Sequence, residues 1–233
     1  MPSLVVTSVR EKTVPRVRVL ARTDQPRVFI LSPANMAGLR AKMLLNPKAP
    51  FPLARQFHDQ GAPLADVFTF TSGLYFRGKV TYARHFASAN RRDIVRVITS
   101  NACLVDPDTI VGPREIKAYG ETEIDPADPK YSEPLRRDAQ RLAKRTGHGP
   151  VILLGSIATP KYRHVLLDVF GERLYFPSEF VGRGDMSRGA LLLQAVETDQ
   201  ELAYASVHDA VFTGKRAVRV SEIKVRELRI GDR

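Results

Sequence analysis

Apolar residues along this chain fall into short runs separated by polar loops. "RVFIL" (27–31) and "PVILLG" (150–155) are almost continuously apolar, as strands covered on both faces are, and "DIVRVITS" (93–100) and "RLYFP" (173–177) read as further strands. "ADVFTF" (65–70) reads as another strand. "LVVTSV" and "VPRVRVLAR" near the start alternate apolar with polar, and "ELAYASV" and "RAVRVSEIKVRELRI" near the end read as further strand. Between these lie helical stretches: "GLRAKMLL", stopped by the three prolines of "NPKAPFP", then "VTYARHFA", "RHVLLDVF" and "ALLLQAV".

The clearest helix is in "YSEPLRRDAQRLAKRTGHG" (131–149). Ser132 suits the N-cap, Glu133 and Pro134 the first turn, and Gly147 the position past the end. Leu135, Ala139, Leu142 and Ala143 form one apolar stripe. Arg136, Arg137, Arg141, Lys144 and Arg145 lie off it, as a solvated face or a phosphate-facing one. Strand, polar loop and helix thus repeat four times, which predicts a single α/β domain over 1–233. In such sheets ligands collect beyond the carboxyl ends of the strands, and the polar loops of this chain fall there.

Composition narrows the chemistry. Hydrophobic residues make up 43% of 233, enough for a sizeable core, and no apolar run approaches the ~18 residues of a membrane span. No secretory leader is evident, and the one cysteine, Cys103, excludes an internal disulfide framework; a cytoplasmic protein without membrane partners is expected. Cys103 alone supplies no cysteine-rich metal site, and the five histidines show no ligand spacing, so neither metal nor cofactor is expected. The net charge of +11 gathers in clusters such as "RRDIVR" and "RRDAQRLAKR", which makes nucleic acid the favoured partner.

Four loops carry candidate chemistry. "ILSPANMAG" offers Ser32 and Asn35, as ligands of a base edge or phosphate or as ordinary caps. "SGLYFRGK" offers Tyr75, Arg77 and Lys79, a base-stacking ring beside phosphate-pairing cations, or a core tyrosine with two solvated charges. "GSIATPKY" places Ser156, Lys161 and Tyr162 ahead of a helix, as an anion site or a capped loop. "GRGDMSRG" sets Asp185 between Arg183 and Arg188, where arginine clamps phosphate or a purine edge, or simply pairs with the carboxylate. Cys103 is either an inert core thiol or a nucleophile.

Taken in order, "ILSPAN", "VITSNACLVDPDTIVGPREIKAYG", "LLGSIATPKY" and "GRGDMSRG" resemble the YaaA family of peroxide-stress DNA-binding proteins. The likeness runs over about 28–193, with β-rich flanks on either side, and implies a central twisted mixed sheet flanked by helices. The middle segments are closer to the DpdC branch, found in the pathway that puts 7-deazaguanines into DNA. That branch implies hydration of the nitrile of 7-cyano-7-deazaguanine, within double-stranded DNA, to the 7-amido base. Other proteins of the modification pathway are then further partners. Direct attack by water, with Asp185 as base and Lys161 or Tyr162 as proton donor, is the first expectation. A covalent route through Cys103 is the second. The substituent projects into the major groove, so full extrusion of the base is not required on this reading. The rival function is a non-catalytic YaaA-like protein that protects DNA in oxidative stress.

Overall fold

The computed structural model describes residues 20, 25–88 and 93–210. The strands expected in "LVVTSV", "VPRVRVLAR" and "RAVRVSEIKVRELRI" lie outside those residues, apart from Leu20, whose amide donates to the Tyr204 carbonyl. In chain order the first half contains β1 (Val28–Leu31), α1 (Leu39–Leu45), α2 (Pro52–Asp59), β2 (Ala62–Pro63), α3 (Leu64–Ser72), α4 (Leu74–Ser88) and β3 (Ile94–Ile98). There follow β4 (Leu104–Val105), β5 (Ile110–Val111), α5 (Pro113–Glu121), α6 (Pro129–Thr146) and β6 (Val151–Leu154). The last elements are α7 (Arg163–Phe170), β7 (Leu174–Pro177), α8 (Asp185–Glu197) and β8 (Tyr204–Ser206).

Among the described residues six strands form one mixed sheet in the order β4-β3-β1-β6-β7-β8, flanked by helices. The four inner strands are parallel, and the edge strands β4 and β8 run antiparallel to their neighbours. Every residue of β1 and β6 is fully buried. Alternate residues of β1 serve opposite faces: Phe29 and Leu31 join the core with α3, α4 and α8, Val28 and Ile30 the core with α6 and α7. Each such side chain contributes roughly 1.5–3 kcal/mol by leaving water. From β1 the chain crosses to β3 on one side, and from β6 to β7 on the other. The carboxyl ends of β1 and β6 therefore open a crevice between diverging connections.

Two local expectations are corrected, at residues 65–70 and at the start of α6. Residues 65–70 are helical, within α3, because Leu64, Ala65, Val67 and Phe68 bury one face at helical spacing. Helix α1 ends before the prolines of "NPKAPFP" as expected, and the last of them, Pro52, also begins α2, where proline's missing amide costs nothing in the first turn. Helix α6 begins three residues before Ser132: Asp128 is its N-cap, accepting from the Lys130 amide at 2.9 Å, and Pro134 sits in the helix interior. The Ser132 hydroxyl instead donates back to the Asp128 carbonyl. No helix among the described residues is long and apolar enough to cross a membrane.

Helices α4 and α8 cross at Gly78 and Gly189. A β-carbon on Gly78 would lie 2.7 Å from the Gly189 carbonyl oxygen, and one on Gly189 would lie 2.8 Å from that of Leu74. Backbone thus meets backbone, and the crossing joins the helix bearing Tyr75 and Lys79 to the one bearing Asp185 and Arg188.

Candidate functional site

Each of the three strands at the crevice hands over to hydroxyl residues: Ser32 after β1, Thr99 and Ser100 after β3, Ser156 after β6 and Gly155. These line a cleft of about 700 Å³. Asn35, Ser72, Tyr75, Tyr119, Thr159, Lys161, Tyr162 and Asp185 line it as well. Seven residues singled out in the sequence, from loops far apart in number, therefore meet here: Ser32, Asn35, Tyr75, Ser156, Lys161, Tyr162 and Asp185.

The floor is the most unusual part. Lys79 is 1% exposed, and its Nζ donates to the Ser32 carbonyl oxygen at 2.6 Å and lies 2.8 Å from Ser32 Oγ. The ammonium position is 4.5 Å from the centre of the Tyr75 ring and 4.8 Å from that of Phe76, a contact favourable to a cation. Burial nevertheless dominates and lowers the lysine to about 7; Asp185 opposes this and Arg188 adds to it. Lys79 is therefore no surface phosphate contact, as its place in "SGLYFRGK" suggested. It titrates near neutrality beneath a serine.

Tyr162 joins the same group. Its hydroxyl donates to the Ser156 carbonyl at 3.1 Å, and burial pushes its pKa up, so it keeps its proton. The absence of a side chain at Gly155 makes room for it: a β-carbon there would lie 2.7 Å from Ser32 Cβ and 2.9 Å from the Tyr162 hydroxyl. Burial likewise raises Tyr75 well above its ordinary value, against the pull of Arg188, and the buried Tyr75 hydroxyl makes no hydrogen bond of normal geometry.

The rim is more open. The Asp185 side chain is 71% exposed in the first turn of α8 and 3.4 Å from Arg188. A carboxylate there complements the helix dipole and the guanidinium, which fits an architectural role better than that of a buried base. Lys161 is exposed, and Asn35 closes its own turn by accepting from the Ala37 amide. Arg183 and Arg188 line an adjoining hollow of about 330 Å³ that shares Ser156 with the main cleft. Arg188 is anchored by donating from Nε to the Phe180 carbonyl, and Arg183 donates to the Ser187 hydroxyl.

Two candidates lie elsewhere. Arg77 is exposed on α4 and lines neither hollow. Cys103 is 4% exposed in the core beneath α6, and burial, helped by Asp138, pushes its thiol up to about 11. A thiol so disposed is mostly protonated at neutral pH, which removes support from the covalent route through Cys103.

No protein-family model, curated protein or solved structure matches the chain. The resemblance to the YaaA family thus rests on its residues alone.

The residues that sequence reasoning passed over are Thr99, Ser100 and Tyr119. The Ser100 hydroxyl donates to the Tyr119 carbonyl at 2.9 Å, tying α5 to the end of β3. Their signal was available: "VFILS", "RVITS" and "VILLGS" each end an apolar run on a small hydroxyl residue.

Proposed function

We propose that the chain hydrates the nitrile of 7-cyano-7-deazaguanine in DNA, giving the 7-amido base. The observation that carries this reading is the convergence of separate loops on one polar cleft in which a nearly buried hydroxyl, that of Ser32, touches a buried, titratable lysine. Nitrile hydration needs an activated oxygen at carbon and a proton for the nitrogen. The Ser32–Lys79 pair and the protonated Tyr162 supply groups of both kinds. A cleft of about 700 Å³ also suits a ligand of nucleobase size.

Ser32 is only 5% exposed, so a ring substituent reaches it when the base has left the stack, and extrusion replaces the groove-side attack expected from sequence. The contact with DNA is supported by a separate feature. Arg137, Arg141, Lys144 and Arg145 are exposed on α6, and a small groove beside them is lined by Arg96, Arg141 and Arg145.

The test is to incubate the protein with DNA carrying the nitrile base, digest the DNA and weigh the nucleosides. A gain of one water is expected. Unchanged nucleosides with DNA still bound would replace this reading by the non-catalytic, DNA-protecting one.

A further inference from the structure

We propose that Ser32 Oγ is the nucleophile of the cleft and Lys79 Nζ its general base. The proposal takes its natural substrate from the hydration reading, but the nucleophile itself stands on the geometry of the floor.

Three observations carry it. The serine follows the central strand β1 at the point where the sheet's connections diverge, and it lines the cleft while lying nearly buried. The lysine is buried, and its amine is held 2.8 Å from Oγ by its second contact, the Ser32 carbonyl at 2.6 Å. The missing side chain at Gly155 leaves room for both Ser32 and the Tyr162 hydroxyl, 2.7 and 2.9 Å from where its β-carbon would lie, so a proton donor stands close to the serine. A serine is a weak nucleophile until a neighbouring base takes its proton, and a desolvated lysine is one of the few side chains able to do so at neutral pH. The lowering of Lys79 to about 7 agrees with this. The charges that bear on it are Asp185 and Arg188 of α8, which oppose one another, and the ring of Tyr75 on its own helix.

On a nitrile the steps balance without any co-reactant but water. Oγ adds to the nitrile carbon, Lys79 takes the hydroxyl proton, and the nitrogen receives a proton from Tyr162, leaving an imidate ester on Ser32. Water then adds across the C=N bond. Its oxygen bonds to carbon, one of its protons completes the NH₂ group, and the other, by way of Tyr162 and Lys79, restores the catalytic groups as the C–Oγ bond breaks. The ammonium of Lys79 beside Oγ makes serine the leaving group, so the product is the carboxamide.

The nucleophile is tested without nucleic acid, using methanesulfonyl fluoride and peptide mass spectrometry. One methanesulfonyl group is expected on Ser32, with a labelling rate that rises through pH 7. Ser32→Ala takes up none, and Lys79→Met reacts at least ~100-fold more slowly. Lys79→Arg is the second variant, since it keeps a cation but cannot surrender its proton, and it is equally slow. Thermal unfolding checks that each variant is folded. Labelling of another residue, or none on the folded protein, overturns Ser32; undiminished labelling of both lysine variants overturns Lys79. A labelled Ser32 with no water gained by the modified DNA keeps the nucleophile and rejects the substrate. Hydration undiminished in Ser32→Ala does the reverse.

Discussion

Lys79 couples the chemistry of the cleft to the stability of the fold. In the unfolded chain its amine holds a proton to about 10.5, in the fold only to about 7. Between those values the unfolded chain binds more protons, so stability rises with pH across that window and the full penalty is present below it. Lys79→Met removes the penalty. Urea unfolding should show the variant gaining a few kcal/mol over the native protein at pH 6 and far less towards pH 10; an equal gain at both would mean the lysine is not desolvated. Gly155→Ala probes the opposite side of the pair. Its β-carbon would lie 2.7 Å from Ser32 Cβ, so hydration and Ser32 labelling should fall at least ~100-fold while Tm drops by only a few degrees. Retained turnover would show that the cleft tolerates a shifted serine. Lys79 looked like a surface charge because it follows Arg77 in a glycine-flanked segment. Taken as helix, Tyr75, Lys79 and Tyr82 fall on one face, and all three are buried. The residue was legible only through the element that carries it.

At the scale of elements, the apolar runs of β1, β6 and β7 and the stripe of α6 were plain in the sequence, because continuous burial leaves little room for polar residues. Residues 65–70 were not, since an alternating run of so few residues fits either period, and burial in three dimensions decided for helix. The glycine pair at the crossing of α4 and α8 was invisible as a pair, because its partners are 111 positions apart by number (189 − 78). Gly189→Ala should cost roughly 1–3 kcal/mol in urea unfolding, since the backbone atoms it meets cannot turn aside. The same substitution should also depress hydration, because α4 carries Lys79 and α8 carries Asp185. A variant as stable and active as the parent would show that the helices slide freely.

At the scale of the whole molecule, exposed cations among the described residues gather at Lys161 of the cleft with Arg183 of the adjoining hollow, and along the arginine-rich face of α6. Affinity for DNA should fall steeply as salt increases from 50 to about 200 mM, the signature of released counterions; a flat response would remove DNA as partner. Since Ser32, the proposed nucleophile, is nearly buried, single-stranded DNA carrying the nitrile base should be turned over faster than the same base in a perfect duplex. A preference for duplex would return the reaction to the groove. Net charge and loop placement were readable from the chain, but which loops share a cleft depends on strand order, which no local pattern specifies.

The locked crossing of α4 and α8 also bears on how a ligand is received. Contacts made between two backbones have no rotamers to choose among, so the floor at Lys79 and the rim at Asp185 hold their spacing whether or not anything is bound. Ordering of that wall is completed when the protein folds. A guest meets a finished shape, and the ordering penalty of association falls on the guest and on the outer loops rather than on the helices behind them.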